Sequence, residues 1–202
     1  MDIIECKPEF KRTVEDICLA TGSEHARTDA AHGSFAKLMY CDGYIDRGIC
    51  YLLTTDGRTP VGYVACAPSF TEWESWFQPY LEQICSLSDA YGKRAENEIA
   101  MYRAYAEKYP AHLHINILPG YTGGGNGTRL MGRLMERLRS DGVPGVMLGV
   151  SASNGGAIRF YRRNGFDRIG GDERTLIMGR QLFEDSVRDS SKSTCAEQGQ
   201  SA

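Results

Sequence analysis

Apolar residues recur along this chain with two different spacings, which divide it into alternating helices and strands. Period-two or continuous apolar runs predict strands at 2–6, 49–55, 61–67, 112–118, 146–150, 166–169 and 175–178. Amphipathic spacing predicts helices at 9–20, 30–40, 127–140 and 154–164. The early strands are joined by turns and the later ones by helices. This order predicts a mixed sheet in an α/β or α+β domain.

One segment, residues 68–111, departs from this alternation because it is helical and rich in aromatic side chains. It holds nine of the twenty aromatic residues of the chain, and its helical period is clearest over 96–109. Two interpretations are open. The segment either packs as a helical pair onto the sheet, or it lines a pocket for a flat or apolar ligand. Trp73, Trp76 and Phe77 are the candidate substrate-binding residues under the second interpretation.

A glycine-rich loop follows the strand at 112–118 and leads directly into the helix that begins near 127. The stretch reads HLHINILPGYTGGGNGT over residues 112–128. Bare backbone amides at a helix N-terminus form an anion site, to which the helix dipole adds about half a positive charge. A mononucleotide P-loop is excluded because no lysine follows Gly127, and the glycine spacing does not fit a dinucleotide fingerprint.

Composition narrows the function further. The net charge is −3 with a pI near 5.8, which lacks the basic footprint of a nucleic-acid-binding protein. The seven cysteines are scattered and show no C-x-x-C spacing, so neither a disulfide framework nor a structural metal site is expected. No apolar run reaches signal or membrane-spanning length. We therefore expect a cytoplasmic protein with no membrane contact, the nucleus being the alternative.

The length of 202 residues is suited to one domain. We expect it to cover residues 1–183, with the helical segment 68–111 as an insertion. From 184 to 202 the chain is rich in Ser, Asp and Gln and poor in apolar residues, which predicts a disordered polar tail.

The glycine loop and a later segment together carry a family resemblance. ILPGYTGGGNG at 117–127 resembles the acyl-CoA pyrophosphate motif of the GNAT superfamily of N-acetyltransferases, and SASNGGAIRFYRRNGF at 151–166 resembles the second motif of that superfamily. The match covers about residues 112–170. Within the superfamily, this segment is most similar to the acetyltransferase-like domain associated with O-GlcNAcases and its free-standing bacterial relatives. The resemblance implies a mostly antiparallel sheet with splayed central strands, flanked by helices, and acetyl-CoA as co-substrate.

Carried over residue by residue, the resemblance implies a set of acetyl-CoA contacts. They are Ile117, Leu118, Thr122, Gly123, Gly124, Gly125, Asn126, Gly127, Thr128 and Asn154. One position departs from the family pattern, because Thr122 stands where Gln or Arg is usual. A threonine offers a hydroxyl but no charge, so we expect modest acyl-CoA affinity unless Arg129 or Arg133 supplies that charge.

The catalytic roles implied by the resemblance fall on two segments. Tyr161 follows Asn154 by two helical turns, so both side chains face one cleft, and the tyrosine is expected to assist the CoA thiolate. His112, His114 and Asn116 alternate onto one face of the preceding strand. The histidines are candidate bases or packed core residues, both interpretations being open, and Asn116 is a candidate substrate contact where related domains carry Asp.

The function predicted from these observations is acetyl transfer from acetyl-CoA to a primary amine, on a small molecule, with the insertion 68–111 covering the acceptor side. Two alternatives stay open. One is an inactive acyl-CoA-binding module, and the other is acetylation of protein lysines or N-termini. The sequence predicts no metal and no nucleic-acid partner, and a monomer or homodimer.

Overall fold

The computed structural model describes residues 1–183, so the tail predicted at 184–202 lies outside the described residues. The strands are β1 (Asp2–Glu5), β2 (Ile49–Thr54), β3 (Pro60–Ala67), β4 (Ala111–Ile117), β5 (Gly145–Ser151), β6 (Asp167–Gly171) and β7 (Thr175–Gln181). The α-helices are α1 (Lys11–Thr21), α2 (Glu24–Thr28), α3 (Ala30–Lys37), α4 (Gly43–Arg47), α5 (Phe70–Trp76), α6 (Gln78–Leu87), α7 (Asp89–Arg103), α8 (Asn126–Ser140) and α9 (Gly155–Arg163).

The strands of the described chain form one open sheet in the order β1-β2-β3-β4-β5-β7-β6. All neighbours are antiparallel except β4 and β5, which run parallel. That parallel pair joins at only two positions, Ala111 with Val146 and His112 with Met147, beyond which the two strands diverge. The predicted mixed, mostly antiparallel sheet with splayed central strands is confirmed.

Helices cover both faces of the sheet, and each face buries its own apolar cluster. Helices α1, α3 and α4 pack on one face together with the aromatic helices α5, α6 and α7. Helices α8 and α9 pack on the other face, where Leu130, Leu134 and Leu138 form the buried stripe of α8. Because side chains alternate along a strand, β4 presents His112 and His114 to the first face and Leu113 to the second.

The predicted helix at 30–40 is longer than its sequence pattern indicates. It passes through a wider π turn at Leu38–Asp42 and continues as α4 to Arg47. The sequence Asp42-Gly43 is instead typical of a turn that ends a helix. Gly43 has an ordinary helical φ of −61°. A Cβ at this position would lie 3.0 Å from the ring of Trp76. Here glycine permits close packing of α4 against the insertion instead of ending the helix.

The insertion at 68–111 contains three helices where the sequence pattern predicted a pair. Ser69 and Ser88 cap α5 and α7, each accepting a hydrogen bond from a backbone N–H three residues later. Pro79 lies in the first turn of α6, where its missing N–H costs nothing. Among residues 1–183, no helix is both long enough and apolar enough to span a membrane.

Candidate functional site

The divergence of β4 from β5 opens a cleft of about 1000 Å³ through the sheet. The separated strand ends form its floor, from Leu113 to Asn116 on β4 and from Gly149 to Ser151 on β5. One end of the cleft is bordered by α9, and the other by α7 and the helices between α1 and the π turn. The cleft therefore links the side that carries the glycine loop and α9 to the side covered by the aromatic insertion.

The glycine loop supplies the donors of an anion site. Four glycines adopt the left-handed backbone region: Gly120, Gly123, Gly124 and Gly125, with φ of 89°, 84°, 56° and 80°. Within the described residues, the amides of 123–125 and 127–128 have no hydrogen-bond acceptor. They lie at the N-terminus of the fifteen-residue helix α8. Free amides at a helix N-terminus fit the pyrophosphate of an acyl-CoA.

Two contacts fix the shape of this loop. The Asn126 Nδ2 donates to the Tyr121 carbonyl across 3.0 Å, which ties the loop to the start of α8. At Gly127 a Cβ would lie 2.9 Å from the ring of Phe160 on α9. A side chain at 127 would therefore push the anion site away from α9, so glycine is required for close approach as well as for bare amides.

Neither Arg129 nor Arg133 supplies the positive charge that is missing at Thr122. Thr122 is exposed, as are Thr128 and Arg129. The Arg129 guanidinium donates to the Met1 carbonyl across 2.9 Å, and that of Arg133 lies 5.0 Å from the ring centroid of Tyr51. Both arginines are engaged away from the loop, so the site rests on backbone amides and hydroxyls.

The backbone N–H groups of Ile117 and Leu118, the first two expected acetyl-CoA contacts, differ in whether they are free to donate. The Leu118 N–H donates to the Val61 carbonyl of the neighbouring chain segment across 2.8 Å. Alternate residues of an antiparallel strand point their N–H groups to opposite sides, so the Ile117 N–H points into the gap left by β5. Of this pair, only Ile117 has an amide directed away from β3, toward the gap between β4 and β5.

Asn154 and Tyr161 both line the cleft, as their spacing predicts. The Asn154 Oδ1 caps α9 by accepting from the Ala157 N–H across 3.0 Å, which leaves its Nδ2 free to donate. Tyr161 is only 9% exposed. Its hydroxyl makes no hydrogen bond to any of residues 1–183. Burial raises the pKa of Tyr161 to about 12. It is therefore a neutral donor at physiological pH.

His112 lies outside the cleft in a box of aromatic rings. The rings that enclose it are those of Tyr44, Phe70, Trp73 and Tyr102, with centroids 4.6 to 5.9 Å away. It is fully buried, and neither ring nitrogen has a hydrogen-bond partner among the described residues. Burial lowers the pKa of His112 well below its usual value, so the imidazole is neutral.

The aromatic side chains singled out in the insertion also lie away from the cleft. Trp73 and Phe77 are fully buried and stack on each other with their centroids 4.4 Å apart, while Trp76 packs against the same cluster. None of the three lines the cleft, whose wall on this side is formed by α7. Their contacts are those of a core that supports β4.

His114 and Asn116 follow His112 on β4 by two and four residues, and unlike His112 they line the cleft. The His114 ring lies between two tyrosines, 4.8 Å from the centroid of Tyr44 and 5.1 Å from that of Tyr40. Burial lowers the pKa of His114 to about 4, so it is a neutral hydrogen-bonding group at pH 7. The Asn116 Nδ2 donates to the Tyr63 hydroxyl across 2.8 Å, which fixes its orientation.

Two cleft residues were missed by sequence reasoning. Tyr40 comes from the π turn, and its hydroxyl donates to the Glu98 Oε2 on α7 across 2.9 Å. The sequence contains one indication of Glu98. It is the charged member of a helical stripe that it shares with Tyr91, Ala95 and Tyr102. No cluster of metal-ligating side chains occurs in the part of the chain that the structure describes.

Comparisons with known proteins agree with this geometry. The solved structure of SsHAT superposes with a TM-score of 0.80 at 24% identity and covers 91% of this chain and 98% of its own. The PaiA N-acetyltransferase of Thermoplasma acidophilum, solved with coenzyme A, gives 0.59 at 16% identity, covering 90% and 99%. These likenesses establish the fold. A model described as the acetyltransferase (GNAT) family matches residues 24–166, and the chain therefore belongs to that family.

Proposed function

We propose that this GNAT acetyltransferase transfers the acetyl group of acetyl-CoA directly to a primary amine of a small molecule. One observation carries the proposal. A single cleft joins Asn154 and Tyr161 on the donor side to α7 and the π turn on the other side. Its volume of about 1000 Å³ is of the size that holds small ligands.

The donor half of the site rests on backbone groups. Acetyl-CoA supplies an acetyl thioester when it is bound. In this proposal the free amides of 123–125 and 127–128 bind its pyrophosphate, and the Asn154 Nδ2 donates to its pantetheine arm. The Ile117 N–H polarises the carbonyl, because its amide is directed into the gap between the strands.

Tyr161 is assigned to the leaving group. Tyr161 is a buried residue that lines the cleft, and its hydroxyl has no partner among the described residues. A tyrosine whose pKa is raised to about 12 donates a hydrogen bond to a forming thiolate without giving up its proton.

The acceptor is assigned to the side of the cleft bordered by α7. His114 and Asn116 are its proposed contacts on β4, with His114 accepting a hydrogen bond from the amine. His112 is assigned to the core that holds the strand, as are Trp73 and Phe77. A small acceptor is favoured over a protein because the insertion borders this side, where a polypeptide needs an open groove.

The test is release of CoA from acetyl-CoA in the presence of a panel of primary amines and lysine-containing peptides. We expect turnover with one class of small amine and at most traces with peptides. Faster turnover with peptides than with small amines would instead support acetylation of protein lysines or N-termini. Binding of acetyl-CoA by calorimetry without turnover on any acceptor would reject the transfer reaction and assign the binding-module alternative.

A further inference from the structure

We propose that Glu98 is the acceptor-binding carboxylate of this enzyme, which receives the substrate as a primary alkylammonium and takes one of its protons. This inference rests on the proposed function and adds a residue and a substrate class to it. Glu98 lies on α7 within the insertion, lines the cleft and is half-buried there.

The strongest support is a missing counter-charge. Among residues 1–183, no Lys, Arg or His nitrogen comes within 4.0 Å of the Glu98 carboxylate. A half-buried carboxylate is normally paired with a cation, since its desolvation is otherwise uncompensated. The one side-chain hydrogen bond to it within the described chain comes from the Tyr40 hydroxyl, across 2.9 Å. An ammonium in the cleft would provide the missing charge.

The surroundings suit an alkylammonium group. The Tyr40 ring, which is hydrogen-bonded to Glu98, packs against His114 with centroids 5.1 Å apart. The charged or titratable groups that face Glu98 are Tyr40 on the π turn, Tyr44 on α4, and Arg94 and Tyr102 on α7. Arg94 also lines the cleft, but its guanidinium lies over the ring of Phe35 and reaches Glu98 only through the Tyr40 hydroxyl, 3.4 Å away.

The order of basicity also favours the carboxylate over the imidazole. Burial raises the pKa of the Glu98 carboxyl, while burial lowers that of the His114 imidazole to about 4. A higher pKa makes the carboxylate a better proton acceptor from an ammonium.

The proton balance of the transfer is complete. Glu98 takes one proton from the ammonium, which frees the nitrogen lone pair. The lone pair forms the C–N bond to the acetyl carbon while the C–S bond breaks. A second nitrogen proton passes to the sulfur, which Tyr161 stabilises by its hydrogen bond, and Glu98 then releases its proton to solvent. The products are the acetamide and a free thiol.

Glu98→Gln tests this assignment, because glutamine still accepts the Tyr40 hydrogen bond and removes only the charge. Two pairs of isosteric acceptors serve as probes. These are n-pentylamine with O-butylhydroxylamine, and 2-phenylethylamine with O-benzylhydroxylamine. The alkylamine of each pair is a cation at pH 7, whereas the alkoxyamine is uncharged. Glu96→Gln, on the exposed side of the same helix, is the matched control.

We expect Glu98→Gln to lower kcat/KM for the alkylamines by about 30-fold or more and for the alkoxyamines by less than about threefold. The KM for acetyl-CoA should stay unchanged. The rate of the variant with alkylamines should rise about tenfold per pH unit as the neutral amine accumulates. Tyr40→Phe, which removes the hydrogen bond and keeps the carboxylate, should preserve the preference for the cation.

Calorimetric binding of the same probes to the CoA complex separates this inference from the proposed function. Alkylamine binding that is lost in Glu98→Gln supports the inference even if wild type acetylates nothing. Turnover of alkylamines that is equal in wild type and Glu98→Gln overturns the inference and leaves the proposed function intact. Equal losses with cationic and neutral acceptors would show a merely structural role. Absence of both binding and turnover in wild type overturns both.

Discussion

Replacing Tyr161 by phenylalanine removes one hydroxyl and little else. The ring keeps its edge-on contacts with Phe160 and Phe166, whose centroids lie 5.3 and 6.0 Å away. The hydroxyl has no partner among the described residues, so its removal leaves none of them unsatisfied. We therefore expect an almost unchanged free energy of unfolding and a loss confined to the chemical step.

The size of that loss follows from the pKa of Tyr161. At about 12 it lies roughly three and a half units above that of a thiol near 8.5. Full proton transfer to the thiolate is then uphill by about 5 kcal/mol, so the hydroxyl acts as a hydrogen-bond donor. A hydrogen bond to a charged group contributes about 1.5–3 kcal/mol, which predicts a fall in kcat of about 10- to 150-fold.

The assay is single-turnover acetyl transfer with saturating acetyl-CoA, because slow product release would otherwise mask the chemical step. Tyr109→Phe is the control, since this tyrosine packs against the core and does not line the cleft. The high pKa of Tyr161 also predicts no fall in rate from its ionisation below about pH 11. A rate within twofold of wild type, or a loss of activity near pH 9 that the substitution abolishes, would refute the reasoning.

Three further predictions concern the donor side. Gly127→Ala should lower the thermal midpoint and the affinity for CoA, because its Cβ would lie 2.9 Å from Phe160, while Gly132→Ala in open space should stabilise α8 by about 0.5–1 kcal/mol. Equal midpoints for the two variants would contradict this. Asn154→Ala should cost about 1 kcal/mol in denaturant unfolding by removing the α9 cap, and Asn154→Ser should restore the stability but not the CoA affinity. Recovery of both would show that only the cap matters. Thr122→Gln should lower the KM for acetyl-CoA by about 2- to 10-fold through one added hydrogen bond, and an unchanged or raised KM counts against a pyrophosphate contact at this position.

The conformation of the glycine loop and the start of α8 could be predicted from sequence because their features are local. Residues 119–128 encode a strand exit, left-handed glycines and a helix start within one short segment. Each of these properties depends on backbone conformation, which neighbouring residues largely determine.

The surroundings of the two histidines on β4 could not be predicted in the same way, because they depend on distant contacts. Strand alternation places His112 and His114 on one face but does not give their depth. That depth is set by the position where β4 leaves β5, just after His112 pairs with Met147. Likewise, Gly43 alone predicts the end of a helix. Its packing role depends on Trp76, which comes from a distant part of the chain.

The short contact between β4 and β5 also divides the fold into two parts that are contiguous in sequence. Strands β1–β4 come from residues 2–117, with α8 packed against β2, β3 and β4, and strands β5–β7 come from residues 145–181. Five of the six strand pairings lie within one part or the other, whereas the seam between the parts consists of only two residue pairs. The cleft lies along that seam. A chain whose two parts had each folded but not docked would therefore contain all seven strands and still lack a binding site.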